Sequence, residues 1–139
     1  MMKILGLDLG STTLGIAMSD ASGKISGAKE TYKFKPEHYK HAVEYVAQIV
    51  KKENISKIVL GLPKNMDNTE GKRCIITRHF AKKVEDATGI AVVLWDERLT
   101  TIQANQILIE SCVRSKNRKR HVDKIVATII LQSYLDSKN

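Results

Sequence analysis

The stretch Lys3-Ile4-Leu5-Gly6-Leu7-Asp8-Leu9 opens as an apolar run and ends in Gly10-Ser11-Thr12-Thr13. A short apolar run closed by turn residues predicts a buried strand entering a tight turn. Side chains alternate across a strand, so Ile4, Gly6 and Asp8 share one face and Leu5, Leu7 and Leu9 the other. Residues 14–19 alternate large with small side chains and predict a second strand folding back on the first. Asp20-Ala21-Ser22-Gly23 predicts a turn, and the more polar residues 24–34 a third strand at a sheet edge.

Beginning at Pro36, apolar positions recur every three or four residues (Tyr39, Ala42, Val43, Val46, Ile49, Val50), which predicts an amphipathic helix. Residues 57–63 read as a short apolar strand stopped by Gly61 and Pro63, parallel to the first because a helix connects it to the meander. A polar loop over 64–71 leads into a second helix carrying Ile76, Phe80, Val84 and Ala87, with Gly89 as its C-terminal cap. Residues 91–95 predict a fifth strand. Thr100 and Gln103 match a capping box for a third helix reaching about Cys112. Residues 114–120 form a cationic loop, and a last helix follows from about His121 to Asp136. This succession gives an α/β protein: a mixed five-stranded sheet of order 3-2-1-4-5, strand 2 antiparallel, with helices on both faces. With no repeat or linker, residues 1–139 read as one domain.

Composition narrows the class. Hydrophobic residues at 42% and charged ones at 27% suit a globular domain with one core. No apolar run approaches the roughly 20 residues of a membrane span, and the start has no signal-peptide pattern, so a cytoplasmic protein with no membrane partner is expected. Cys74 and Cys112 lie far apart without metal-ligand spacing and read as reduced thiols. His38 and His41, three apart with no further ligand beside them, read as surface histidines. The net charge of +8 favours a polyanionic partner.

The candidate chemistry lies in three acids. In an open α/β sheet, ligands gather at the C-terminal ends of the parallel strands. Asp8 lies near that end of strand 1, and Glu97 at that end of strand 5. Asp123 starts the last helix on a stripe with Ala127, Ile130 and Tyr134, facing the protein. An acid in a central strand beside Gly6 and Gly10 is costly unless something positive meets it. Taken singly, Glu97 also reads as a loop acid paired with Arg98, and Asp123 as an acid stabilised by the helix dipole. Together, three converging carboxylates cannot all stay ionised without cations. The expected cofactor is therefore a divalent metal, Mg²⁺ or Mn²⁺, with two ions about 4 Å apart acting on a phosphodiester when substrate is bound. Arg98, Arg114, Lys116, Arg118, Lys119 and Arg120 are the candidate phosphate-holding residues.

Three blocks carry a family resemblance: Gly6-Leu7-Asp8-Leu9-Gly10 with Gly15-Ile16-Ala17-Met18-Ser19-Asp20; Gly61-Leu62-Pro63 with Asn65-Met66-Asp67 and Thr69-Glu70-Gly71; and Asp96-Glu97-Arg98-Leu99-Thr100-Thr101 with Asp123 and Ile130-Leu131-Gln132-Ser133-Tyr134-Leu135. Together they resemble the YqgF family of RNase H-like proteins, which is related to Holliday-junction resolvases. The resemblance implies an RNase H-like fold, a site on Asp8, Glu97 and Asp123, and endonucleolytic processing of the 5′ end of pre-16S rRNA in ribosome biogenesis. Structured RNA and ribosomal particles are the implied partners. The family usually places a Lys-Arg pair after the first Asp-x-Gly turn, where this chain has Thr12-Thr13, which removes a positive contact from that turn. Three alternatives stay open: a resolvase acting on a DNA junction, a non-catalytic nucleic-acid-binding module in ribosome assembly or transcription, and, from the Asp8-to-Thr13 loop, an actin-like ATPase. Monomer and dimer are both compatible with the sequence.

Overall fold

One mixed sheet in the order β3-β2-β1-β4-β5 carries the fold. Its strands are β1 (Lys3–Leu9), β2 (Thr13–Ser19), β3 (Ser26–Lys33), β4 (Ile55–Leu62) and β5 (Val92–Asp96). The helices are α1 (Tyr39–Glu53), α2 (Lys72–Thr88) and α3 (Arg118–Lys138), and a single 3₁₀ turn, Glu97–Thr100, follows β5. The structure is a computed structural model that describes residues 3–100 and 118–138, with side chains described for 3–98 and 124–138.

Strand order and directions are those expected from the sequence. β1 pairs antiparallel with β2 and parallel with β4; β4 pairs parallel with β5, and β2 antiparallel with β3. The two faces of β1 divide as the alternation predicts. Leu5, Leu7 and Leu9 join the core beneath α1 and α2, with Val46, Ile49, Ile58, Leu60, Phe80 and Val84. Ile4 joins the opposite core beneath α3, with Val59, Ala127, Ile130, Leu131 and Tyr134. A strand covered on both faces has no solvated side, which is why β1 and β4 read as nearly continuous apolar runs.

Helix α3 is seated closely on the sheet. A Cβ on Gly6 would lie 2.6 Å from Leu131 Cβ and 3.1 Å from the Ala127 carbonyl oxygen. Polar bonds pin it from edge to edge. Ser26 Oγ donates to the Thr128 carbonyl (3.0 Å), the Ser26 amide to Gln132 Oε1 (2.9 Å), and Trp95 Nε1–H to Ser133 Oγ (3.1 Å). Lys57, near the start of β4, reaches the Tyr134 hydroxyl (3.1 Å), whereas Ile130 stands over Gly61 near that strand's end. The helix thus runs antiparallel to β1 and β4, its start directed toward their C-terminal ends.

Several boundaries differ from expectation, three of them with a clear local cause. Helix α1 begins at Tyr39, not Pro36: Lys35-Pro36-Glu37-His38 is a turn, with His38 N–H donating to the Lys35 carbonyl (3.0 Å) and Glu37 at φ 66°. Pro in second position and positive φ in third is the type II pattern. Strand β4 begins two residues early, at Ile55, because Asn54 ends α1 in the left-handed conformation (φ 53°) and the chain re-enters the sheet at once. Helix α3 begins at Arg118, so Arg118, Lys119 and Arg120 lie in its first turn, not in a loop; Arg and Lys are good helix formers. Gly89 caps α2 as expected, at φ 71° with its N–H on the Glu85 carbonyl. The predicted helix from Thr100 to Cys112, and with it Arg114, Lys116 and Cys112, falls beyond Thr100 outside the described residues.

Candidate active site

Asp8 and Glu97 meet at the C-terminal end of the sheet. The β1–β4 register aligns Leu7 with Leu60, so Asp8 stands next to Gly61; Gly61 in turn pairs with Trp95 on β5, two residues before Glu97. A hydrogen bond joins the Glu97 and Asp8 carboxyl groups. The space for it is a missing side chain: a Cβ on Gly61 would lie 2.6 Å from Glu97 Oε1 and 2.5 Å from Ile130 Cδ1. Glycine inside a strand weakens it unless another group needs the room; here the Glu97 side chain crosses β4 through that room.

Two carboxyl groups can share a hydrogen bond only if one carries a proton. Burial pushes the Glu97 carboxyl above its usual range; the bond with Asp8 and the nearby Arg73 pull it back, while Asp96 adds to the rise. The third expected acid, Asp123, lies on α3 one turn before Ala127, on the helix end directed toward this pair; its side chain is outside the described set. Its stripe partners Ala127, Ile130 and Tyr134 are all buried against the sheet. Among the described residues no group of three His, Cys, Asp or Glu side chains converges. The Asp8–Glu97 pair fits a hard divalent cation in its chemistry: an oxygen-only donor set in which a cation can replace the shared proton.

The residues flanking Glu97 hold it in place. Asp96 accepts from the Arg98 amide (3.0 Å) and from Arg98 Nε and Nη2 (3.0 and 2.6 Å). Arg98 Nη2 also donates to Asn68 Oδ1 (2.8 Å), joining β5 to the loop between β4 and α2. This guanidinium, expected from the sequence to hold phosphate, is engaged in an ion pair and a loop contact, and it keeps the Asp96 carboxyl below the usual range. The loop is internally ordered. The Asn65 amide donates to the Thr69 carbonyl (2.9 Å), the Asn68 amide to the Asn65 carbonyl (2.9 Å), and Asp67 accepts from the Thr69 amide and hydroxyl (3.0 and 2.6 Å). A side-chain acceptor two residues before the amide it binds explains the acid at position 67.

Two participants escaped the sequence reading. Gly61 reads in the sequence as a strand stop and part of a motif, whereas it lies inside β4, paired with Trp95; its signal is a glycine within an otherwise apolar central strand. The other is Arg73, in the first turn of α2, whose Nη2 donates to the Leu9 carbonyl (2.8 Å), one residue beyond Asp8. The first turn of α2 carries Lys72 and Arg73 and no acid, and its cap, Gly71, offers no side-chain bond. Cys74 is buried, its thiol pushed up by burial, and takes no disulfide. His38 and His41 meet edge to face on the exposed start of α1.

Sheet order and strand directions define an RNase H-like α/β fold. The chain superposes on Thermus thermophilus RuvC, solved with a Holliday junction substrate, at a TM-score of 0.70 and 14% identity, covering 99% of this chain and 96% of that one. The fowlpox virus resolvase, solved with Holliday junction DNA, aligns at a TM-score of 0.55 and 16% identity over 99% of both chains. The family model RuvX, described as Holliday junction resolvase, matches residues 2–137, and the chain belongs to that family. A Bacillus subtilis relative, named "Putative pre-16S rRNA nuclease", is 46% identical over 138 residues, covering 99% of this chain and all of the relative. No helix among the described residues is long and apolar enough to cross a membrane.

Proposed function

We propose that this chain is a metal-dependent endonuclease that cleaves phosphodiester bonds of structured RNA, processing the 5′ end of pre-16S rRNA on ribosomal particles in the cytoplasm. The observation that carries the reading is the meeting of Asp8 and Glu97 across Gly61 at the strand ends. Membership in the RuvX family supports cleavage of nucleic acid, and the name of the B. subtilis relative supports the rRNA substrate. Asp8, Glu97 and Asp123 are the proposed ligands of one or two Mg²⁺ or Mn²⁺ ions. Such ions lower the pKa of a bound water and stabilise the leaving oxygen of an in-line displacement.

The chain's own residues orient and desolvate. Gly61 lets Glu97 cross the sheet to Asp8, and the Asp96–Arg98 pair anchors the backbone on either side of it. Burial of Glu97 beneath α3 limits water and strengthens electrostatic interactions at the pair. Arg114, Lys116, Arg118, Lys119 and Arg120 are proposed to hold flanking phosphates, with Arg98 contributing through the loop it fixes. Residues 1–139 act as one nuclease domain in this account.

The description of the RuvX family favours a second reading, cleavage of a four-way DNA junction. Symmetric double cleavage requires a dimer. The deciding experiment compares a precursor-like structured RNA with a four-way DNA junction, each in Mg²⁺, Mn²⁺ and chelator. Metal-dependent cleavage of the RNA is expected. Cleavage of the junction alone replaces the RNA reading with the second, and binding without cleavage of either makes the chain a binding module.

A further inference from the structure

We propose that Arg73 is a phosphate-binding residue of this site: its guanidinium, fixed against the Leu9 carbonyl beside the Asp8–Glu97 pair, receives a phosphodiester of the bound nucleic acid. The proposal deepens the nuclease reading and rests on it.

Three arginines have described side chains. Arg78 closes on Glu70 through two bonds (2.6 and 2.7 Å), and Arg98 closes on Asp96. Arg73 instead gives one Nη2–H to a neutral backbone oxygen, that of Leu9 (2.8 Å). A guanidinium has five N–H donors in a rigid fork, so a single bond to a carbonyl fixes the group and leaves an edge that matches two phosphate oxygens. Leu9 follows Asp8 directly, which sets this edge at the end of β1 where the acids meet. Arg73 is close enough to Glu97 to act on its charge, so it lies within the field of the pair.

The local charge balance also calls for an anion. Lys72 and Arg73 occupy the first turn of α2, which carries no acid of its own and where exposed amides already favour negative charge. Arg73 thereby places a positive contact next to the first acid from α2, whereas the turn after β1 offers Thr12 and Thr13.

A purely structural role, clamping α2 to the end of β1, makes a different prediction. The test measures binding of a structured RNA in chelator over a salt series, together with metal-dependent cleavage and melting temperature. It compares wild type, Arg73→Ala, Arg73→Lys and, as a surface control on α2, Lys83→Ala. Arg73→Ala is expected to weaken binding about tenfold and to reduce the salt slope by about 0.7–0.9, the loss of one phosphate contact. It should also lower kcat by about a hundredfold, as loss of a preorganised donor does. Arg73→Lys should restore the slope but only part of kcat, because a point charge does not reproduce the fork. Lys83→Ala should match wild type. A lowered melting temperature with an unchanged salt slope and normal cleavage per folded molecule overturns the proposal in favour of the clamp. If wild type neither binds nor cleaves nucleic acid, the nuclease reading falls and this proposal with it; if wild type cleaves and Arg73→Ala cleaves equally, only this proposal falls.

Discussion

Glu97 is the residue on which burial, charge and geometry bear at once. Its carboxyl is pushed above the usual range by burial. A group whose folded pKa is raised contributes its full stability below the unfolded pKa and loses it as pH rises through the folded value. With chelator present, the melting temperature is therefore expected to fall as pH climbs from about 4.5 toward neutrality. Glu97→Gln should flatten that slope, raise the metal-free melting temperature near neutral pH by a few degrees, and abolish cleavage; an unchanged slope would show that Glu97 ionises freely. Gly61 makes a sharper case. An added Cβ at 2.6 Å from Glu97 Oε1 and 2.5 Å from Ile130 Cδ1 must displace both. Gly61→Ala is expected to cost about 1–3 kcal/mol, read as a lower melting temperature, and to reduce cleavage by more than the same variant reduces stability. The two acids could be singled out from the sequence because a carboxyl within or just after a buried strand is costly. Their convergence follows from the strand ends, but the route of the contact does not, since it depends on the space over one glycine and periodicity carries no information about space across strands.

The 3₁₀ turn after β5 and the β4–α2 loop behave as a unit. Arg98 ties Asp96 to Asn68, and Asp67 and Thr69 close the loop on itself. The Asp96 carboxyl is held below the usual range by Arg98, so this pairing contributes above the ordinary carboxylate pKa and is lost as pH falls through the depressed one. Arg98→Ala is expected to leave the melting temperature within a few degrees of wild type, because the pair is partly exposed. It should speed proteolytic nicking within residues 63–71 and slow cleavage about tenfold by loosening Glu97. Equal nicking rates would mean that the loop holds itself. At this scale the sequence was a good guide to existence and direction, and weaker at ends. Strand alternation gave both faces of β1, and Gly89 marked the end of α2. Pro36 was read as a helix start because proline suits both a helix's first position and a turn's second. Only the positive φ at Glu37 distinguishes them, and a sequence does not display it. The first turn of α3 reads as loop in the sequence because a run of Arg and Lys looks solvated in either state.

For the whole molecule, the net charge of +8 is an argument about partners, not fold. Among the described side chains several cations are already engaged: Arg78 with Glu70, Arg98 with Asp96 and Lys3 with Glu53. The excess is proposed to act through Arg118, Lys119 and Arg120 in the first turn of α3, the helix whose start faces the strand ends, together with Arg114 and Lys116, which lie outside the described residues. Replacing Arg118, Lys119 and Arg120 together with Ala should reduce the slope of log affinity against log salt by about 2–3, at about 0.7–0.9 per lost phosphate contact. An unchanged slope would place the nucleic-acid path elsewhere on the surface. Sheet order was accessible because connection rules leave few arrangements for a meander followed by two strand-helix units. The engagement of Arg98 with Asp96 was not, because charge along a chain does not say which side chains a fold binds internally.

The most direct measurement is single-turnover cleavage of a precursor-like structured RNA by wild type and Asp8→Asn in Mg²⁺, with binding followed in parallel in chelator. Asparagine keeps the shape of the side chain and removes its charge. Cleavage by wild type that disappears with chelator, falls at least tens-fold in Asp8→Asn, and is accompanied by unaltered RNA binding is the result expected of a carboxylate-held metal site. Undiminished cleavage by Asp8→Asn would contradict it and remove the Asp8–Glu97 pair from the chemistry.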